Sequence, residues 1–170
     1  MGLCFYDETE FPWAAAYFQY LPVEPLGSLG TMSVDDYQPL PPTLEDLVTQ
    51  LSARRGWKAY GDRIMLVTHG TPAAIYLTLN VTKEKALRER DLDILIRMVE
   101  SGKEEDLIAC TAHFDDDKSM MKDLRDNIKK VQRQCLSVLV IRACRIGQNR
   151  SYLTKLARLL NAHHINAPLN

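Results

Sequence analysis

Apolar positions along the chain follow two patterns, and their alternation predicts the architecture. Residues 63–68, RIMLVT, and 136–143, LSVLVIRA, are continuous apolar runs. Runs of that length are expected of strands buried on both faces of a parallel sheet. Helical spacing marks Leu44, Leu47, Val48 and Leu51; then Leu92, Leu95, Ile96 and Val99 within 84–101. It returns at Met121, Leu124, Ile128 and Val131 within 118–134, and at Leu153, Leu156, Ala157 and Leu160 within 150–161. Thr43, with Pro41–Pro42 before it and Asp46 after it, carries a helix start signal; Arg54–Arg55–Gly56 carries the stop. IYLTLNV, residues 75–81, alternates and predicts a half-exposed strand or hairpin arm. WAAAYFQYL, residues 13–21, reads as a first strand, its alanines leaving a helix open. Residues 22–42 hold most of the prolines and the stretch GSLGT, and predict a long loop. Helices alternating with buried strands predict one α/β domain over 1–170, a three-layer sandwich with a mainly parallel sheet.

Composition narrows the function classes. The chain has 170 residues, 46% hydrophobic and 25% charged, enough to bury a core without disulfides. A net charge of −1 leaves no basic excess, so no nucleic-acid partner is expected. No apolar stretch reaches membrane-span length. Acids in MGLCFYDETEF stand where a signal peptide needs a basic start, and Tyr6 stands where a myristoylation motif needs Ser or Thr. Cys4, Cys110, Cys135 and Cys144 lack framework spacing, the expectation for reduced thiols of a cytoplasmic protein with no membrane association.

The candidate chemistry lies at two strand ends. His69 closes IMLVTHG, and Cys144 sits where the run LVIRACRIGQN turns polar. In open α/β sheets, sites form beyond the carboxyl ends of the strands, where the loops diverge. On neighbouring parallel strands the imidazole and thiol emerge on one rim, the thiolate as nucleophile and the histidine moving protons. Gly70 lets the backbone approach a substrate closely, and its N–H with that of Cys144 can face a developing oxyanion. Arg145 can favour a thiolate by its charge, helped by the positive end of the helix beginning near Arg150.

Other signals have plainer readings. Cys110 and His113 have ligand-like spacing, with Cys135, His163 and His164 as completions, but zinc sites usually need a second tight pair, so no metal is expected. His163–His164 reads as a solvated helix end. Asp115–Asp117 reads as a turn entering a helix, where acids complement the dipole. Met120–Met121 reads as core filling, and Trp13, Tyr17, Phe18 and Tyr20 as a sheet core or a partner surface. The chain lacks G-x-S-x-G, Walker A and G-x-G-x-x-G, which removes serine hydrolase, NTPase and dinucleotide-binding readings.

THG and RACRIG resemble the histidine–glycine and QACRG signatures of caspases. More broadly the chain is similar to caspase-like cysteine peptidases: metacaspases, clostripain-like enzymes and bacterial CHAT domains. CRIGQNRSYLTKLARLLNA also resembles the C-x-x-G…L-x-x-L-A pattern after the cysteine in several bacterial members, and the likeness covers 60–165. It implies a caspase-like fold and a thiol protease working through an acyl-enzyme. His69 and Cys144 would be catalytic, with Gly70 and the Cys144 backbone forming the oxyanion hole. The implied partners are a protein or peptide substrate and a regulatory protein, and the implied cofactor is none. Arg142 stands in place of the glutamine of QACRG, so Arg142 and Arg145 become substrate-binding candidates that favour an acidic side chain before the cut. An inserted helical segment over 84–134 separates the two strands. The chain after Cys144 has room for one helix and a short edge segment, which sustains a rival: a non-catalytic caspase-like scaffold or regulatory module with an incomplete groove. A second rival is an α/β binding domain of unrelated ancestry.

Overall fold

The two continuous apolar runs become neighbouring parallel strands. The computed structural model describes residues 2–7, 11–13, 16, 23–25, 31–34, 36–39, 43–53, 63–80, 82–83 and 85–167. Strand β1 (Leu3–Tyr6) precedes a hairpin of β2 (Val23–Pro25) and β3 (Thr31–Ser33), then β4 (Asp36–Pro39) and α1 (Leu44–Ala53). After β5 (Arg63–Val67) come α2 (Glu89–Ser101), α3 (Glu104–Phe114) and α4 (Lys118–Gln134). The chain closes with β6 (Leu136–Arg142), α5 (Arg150–Leu160) and β7 (Ala162–Asn166). Five strands form one sheet in the order β4-β1-β5-β6-β7, every pair parallel. The fold is α/β.

Crossover handedness explains where the layers fall. From β1 the chain steps outward to β4, then reverses and advances through β5, β6 and β7. Right-handed crossovers in opposite directions lie on opposite faces of a sheet. The helices of the three later connections accordingly share one face. Residues of all five helices pack in one core with Leu3, Phe5, Ile64, Leu66, Leu139 and Ile141. The opposite face, Cys4, Met65, Val67, Val138 and Val140, is covered among the described residues by Met32 and Val34 of the β1–β4 connection, with Tyr6 and Phe11 packed alongside. Helices, sheet and this second cover are compatible with three layers.

Several expectations meet the structure closely, and others need correction. Helix α4 occupies the predicted span, and Asp117 caps it by accepting from the Ser119 and Met120 N–H groups. Thr43 and Asp46 form the reciprocal bonds expected at the start of α1; Arg54–Gly56 lies outside the described residues. Helix α2 begins at Glu89 instead of 84, because the Leu87 N–H is held by the Leu77 carbonyl and the chain turns helical only after Arg88. Residues 75–79 keep alternating burial but make only isolated bridges among the described residues, and Val81 lies outside them. The Thr78 and Leu79 carbonyls instead accept from Leu44 and Glu45 N–H, satisfying donors that the first turn of α1 leaves open.

Helix α3 had no strong pattern, since it buries only Leu107, Cys110 and the paired Asp106 while Ile108 faces outward. The first strand is LCFY, not 13–21; Trp13 lies in a turn, Ala16 is helical, and 14–15 and 17–21 fall outside the described residues. The predicted 22–42 loop contains β2, β3 and β4, whose brevity and prolines hid them; Pro39 is tolerated because β4 is an edge strand. His163 and His164 belong to β7, because Asn161 in the left-handed region ends α5 abruptly. Met121 is buried as expected, whereas Met120 is 38% exposed.

Burial sets the alkaline limit of this fold. It pushes the Cys4 and Cys110 thiols up to about 12, Asp116 adding to the effect on Cys110, and pushes the Tyr152 hydroxyl up to about 12. Each group stays neutral in the fold after its unfolded counterpart has ionised. Stability is therefore intact below about pH 9 and falls as pH rises towards 12. Urea titrations should show this decline, and Cys4→Ala should reduce its slope by about 1.4 kcal/mol per pH unit.

Candidate active site

The site follows from strand register. Val67 of β5 pairs with Arg142 of β6, and the Thr68 N–H still donates to the Arg142 carbonyl at 3.0 Å. Two residues further, His69 and Cys144 stand at matched positions. Along β5, Met65 and Val67 face away from the helices, and side-chain alternation sends His69 the same way. Along β6, Val138 and Val140 face that side, and alternation carries Arg142 and Cys144 after them. Adjacent strands lie about 4.8 Å apart, and alternation continued past the paired residues would bring the two side chains to one face, although β6 ends at Arg142 and Cys144 itself opens a turn. Cys144 is exposed and His69 half-buried.

Gly70 makes the close approach possible. A Cβ there would meet the Ala143 Cβ at 2.7 Å and the Cys144 carbonyl oxygen at 3.4 Å. The chain then folds back, with the Tyr76 N–H donating to the His69 carbonyl and the Thr71 N–H to the Ala74 carbonyl, both at 2.8 Å. Those bonds straddle Gly70 without using its N–H. Among the described residues neither the Gly70 N–H nor the Cys144 N–H has a hydrogen-bond partner. The two donors expected to serve an oxyanion are thus open.

Backbone strain is also concentrated here. Among the described residues four non-glycine positions have positive φ; Asp115, Cys135 and Asn161 end helices, where that conformation is ordinary. Arg145, at φ 56°, ends none. It turns the chain sharply after Cys144 into a short 3₁₀ turn and then α5. The neighbouring Thr68 hydroxyl is buried with no hydrogen-bond partner. Asn149 caps α5 through the Tyr152 N–H and donates to the Pro72 carbonyl at 2.9 Å, fastening the loop after Gly70 to the turn after Cys144.

The imidazole sits among aromatic rings that sequence reasoning missed. The His69 ring lies 4.8 Å from that of Phe11 and 6.0 Å from that of Tyr76, and Phe11 meets Trp13 edge-on at 5.8 Å. Phe11 arrives through β1: the Asp7 N–H donates to the Val67 carbonyl, and the Phe11 N–H to the Asp7 carbonyl. Trp13 is 55% and Tyr76 61% exposed, an aromatic strip crossing the histidine. Only recognition of LCFY as an interior strand beside β5 could have placed Phe11 here. Tyr17, Phe18 and Tyr20 lie outside the described residues.

The remaining candidates separate from this rim. Cys110 is fully buried, and His113 bonds Asp91 at 2.8 Å. No group of three His, Cys, Asp or Glu among the described residues is arranged to hold a metal ion. Arg142 is half-buried and Arg145 exposed at the rim itself. No described helix is long and apolar enough to cross a membrane. No family model, curated protein or solved structure matches the chain.

Gly70→Ala should force the two strand tails apart, costing about 1–3 kcal/mol in urea unfolding and slowing alkylation of Cys144. Arg145→Gly should act oppositely on stability, gaining about 1 kcal/mol by relieving the left-handed turn. It should still slow Cys144 alkylation, because the nearby charge is gone; unchanged kinetics would remove Arg145 from the site.

Proposed function

We propose that the chain is a caspase-like cysteine peptidase domain, with Cys144 the nucleophile and His69 the acid and base. One observation supports the reading: His69 and Cys144 each follow by two residues the last paired positions of adjacent parallel strands, Val67 and Arg142, beside two backbone N–H donors without partners among the described residues. The order of the two residues along the chain and their strand-end context support the likeness in THG and RACRIG.

The chemistry is acyl transfer. The Cys144 thiolate attacks the carbonyl carbon of a peptide bond, and the Gly70 and Cys144 N–H groups donate hydrogen bonds to the oxyanion that forms. Collapse of this intermediate breaks the C–N bond, and His69 gives a proton to the departing amine. Water, deprotonated by His69, then attacks the thioester, releasing the carboxylic acid and restoring the thiol. Arg142 and Arg145 would attract an acidic side chain before the cut, and a regulatory protein would control access. The protein would work in the cytoplasm on protein or peptide substrates.

The exposed Trp13 and Tyr76 favour a second reading, a non-catalytic module that binds a partner over the same rim. Alkylation kinetics separate the two. Cys4 and Cys110 are buried, so exposed Cys135 is the internal control. Near neutral pH Cys144 should react at least about tenfold faster than Cys135, and His69→Ala should erase the lead. Equal rates at Cys144 and Cys135 in the native protein would leave the binding module as the better account.

A further inference from the structure

A cleft of about 300 Å³ opens immediately past His69, lined by Thr71, Ala73, Ala74, Tyr76, Lys85, Ala86 and Arg88. Its contact with the site is Tyr76, whose ring meets the imidazole and whose N–H is bonded to the His69 carbonyl. Its wall is small and apolar, and two cations stand at its edge.

Among the described residues those cations have no acid partner, and the reason can be traced acid by acid. Glu89 is held by Lys155 at 2.9 Å and by Ser151, contacts that lower its pKa. Asp91 accepts from the Arg88 backbone N–H at 2.7 Å and bonds His113 at 2.8 Å. Asp93 is bonded to Lys155 at 2.7 Å. Nearer Lys83, Asp116 is bonded by Asn80. Glu84 lies outside the described residues. Among the described residues, then, neither Lys85 nor Arg88 has an ion-pair partner. In a chain of net charge −1, this local positive excess runs against the overall balance.

We propose that this cleft, between Tyr76 and the Lys85–Arg88 segment, is a subsite for an acidic side chain of the substrate on the leaving-group side of the cut. The inference rests on the peptidase reading above and adds a substrate class to it. His69 must donate its proton to the departing amine, so the polypeptide attached to that amine passes over the imidazole. Of the two rings against the imidazole, Phe11 and Tyr76, it is Tyr76 that lines a cleft. A carboxylate entering there meets two cations that have no ion-pair partner among the described residues. Both cations are exposed, so the attraction is screened by salt and serves selectivity more than raw affinity.

The test separates this subsite from the peptidase reading by measuring binding without chemistry. Cys144→Ala protein is titrated at low salt with fluorescein-labelled peptides in which Asp is scanned against Asn through a neutral background. One Asp position should bind about fivefold tighter than its Asn counterpart, the scale expected of two exposed ion pairs. Lys85→Ser/Arg88→Ser should abolish that preference. Equal binding of Asp and Asn peptides, no binding of either, or a preference that survives the double substitution overturns the subsite. The preferred peptide is then given to the unsubstituted protein and its products are weighed. A cut on the amino side of the Asp supports the assignment, and a cut on its carboxyl side overturns it. Binding preference without any cleavage overturns the peptidase reading and upholds an acidic-peptide cleft.

Discussion

The parallel pairing of β5 with β6 is the constraint on which the rest depends. Its register pairs Val67 with Arg142, two residues before His69 and Cys144, and its position beside the reversal in strand order decides which elements surround those strand ends. At that reversal the connection leaving β1 covers one face and the connection leaving β5 covers the other. Loops at the carboxyl ends must diverge there, so a crevice follows from topology alone. A slip of one residue in this register would turn every side chain of one strand to the opposite face, separating the thiol from the imidazole and taking Val138 and Val140 out of the core.

Energetic compromises gather at the same rim. Most of the core is well packed: Phe5, Leu66, Leu139 and Ile141 are essentially fully buried beneath five helices. Near the two strand ends, however, a buried hydroxyl at Thr68 lacks a partner, Arg145 holds a left-handed turn, and two N–H donors are open. Each costs free energy that the core must offset, and each coincides with the place where a substrate carbonyl would bind. The β5–α2 loop is correspondingly fastened, by Tyr152, whose buried hydroxyl reaches the Ile75 N–H and the Leu87 carbonyl, and by Asn149.

What the sequence revealed and concealed follows the same physics. β5 and β6 were legible because central parallel strands are apolar on both faces, and α4 because a surface helix shows a clean stripe. β1 is only LCFY, too short to register as a run. β4 and β7 are edge strands rich in polar residues, and α3 buries too few side chains to show a period. In the candidate site, His69, Gly70 and Cys144 could be paired from two strand ends. Phe11 and Tyr76 could not, because their meeting with His69 depends on the backbone bond from Asp7 to Val67 and on the turn that brings Tyr76 back beneath the histidine.

That dependence bears on how such a site can discriminate. Cys144 is fixed by β6 and the turn after it, but the imidazole is flanked by rings from two loops leaving different strands. One loop carries the exposed Trp13 and the other the exposed Tyr76 followed by Lys85 and Arg88. The proposed reacting pair therefore follows directly on two sheet strands, while the surfaces that would touch a substrate on either side of it belong to the connections. Substitutions in those connections can alter which chain is bound without moving the register of β5 and β6, so selectivity and reactivity are separable in this fold.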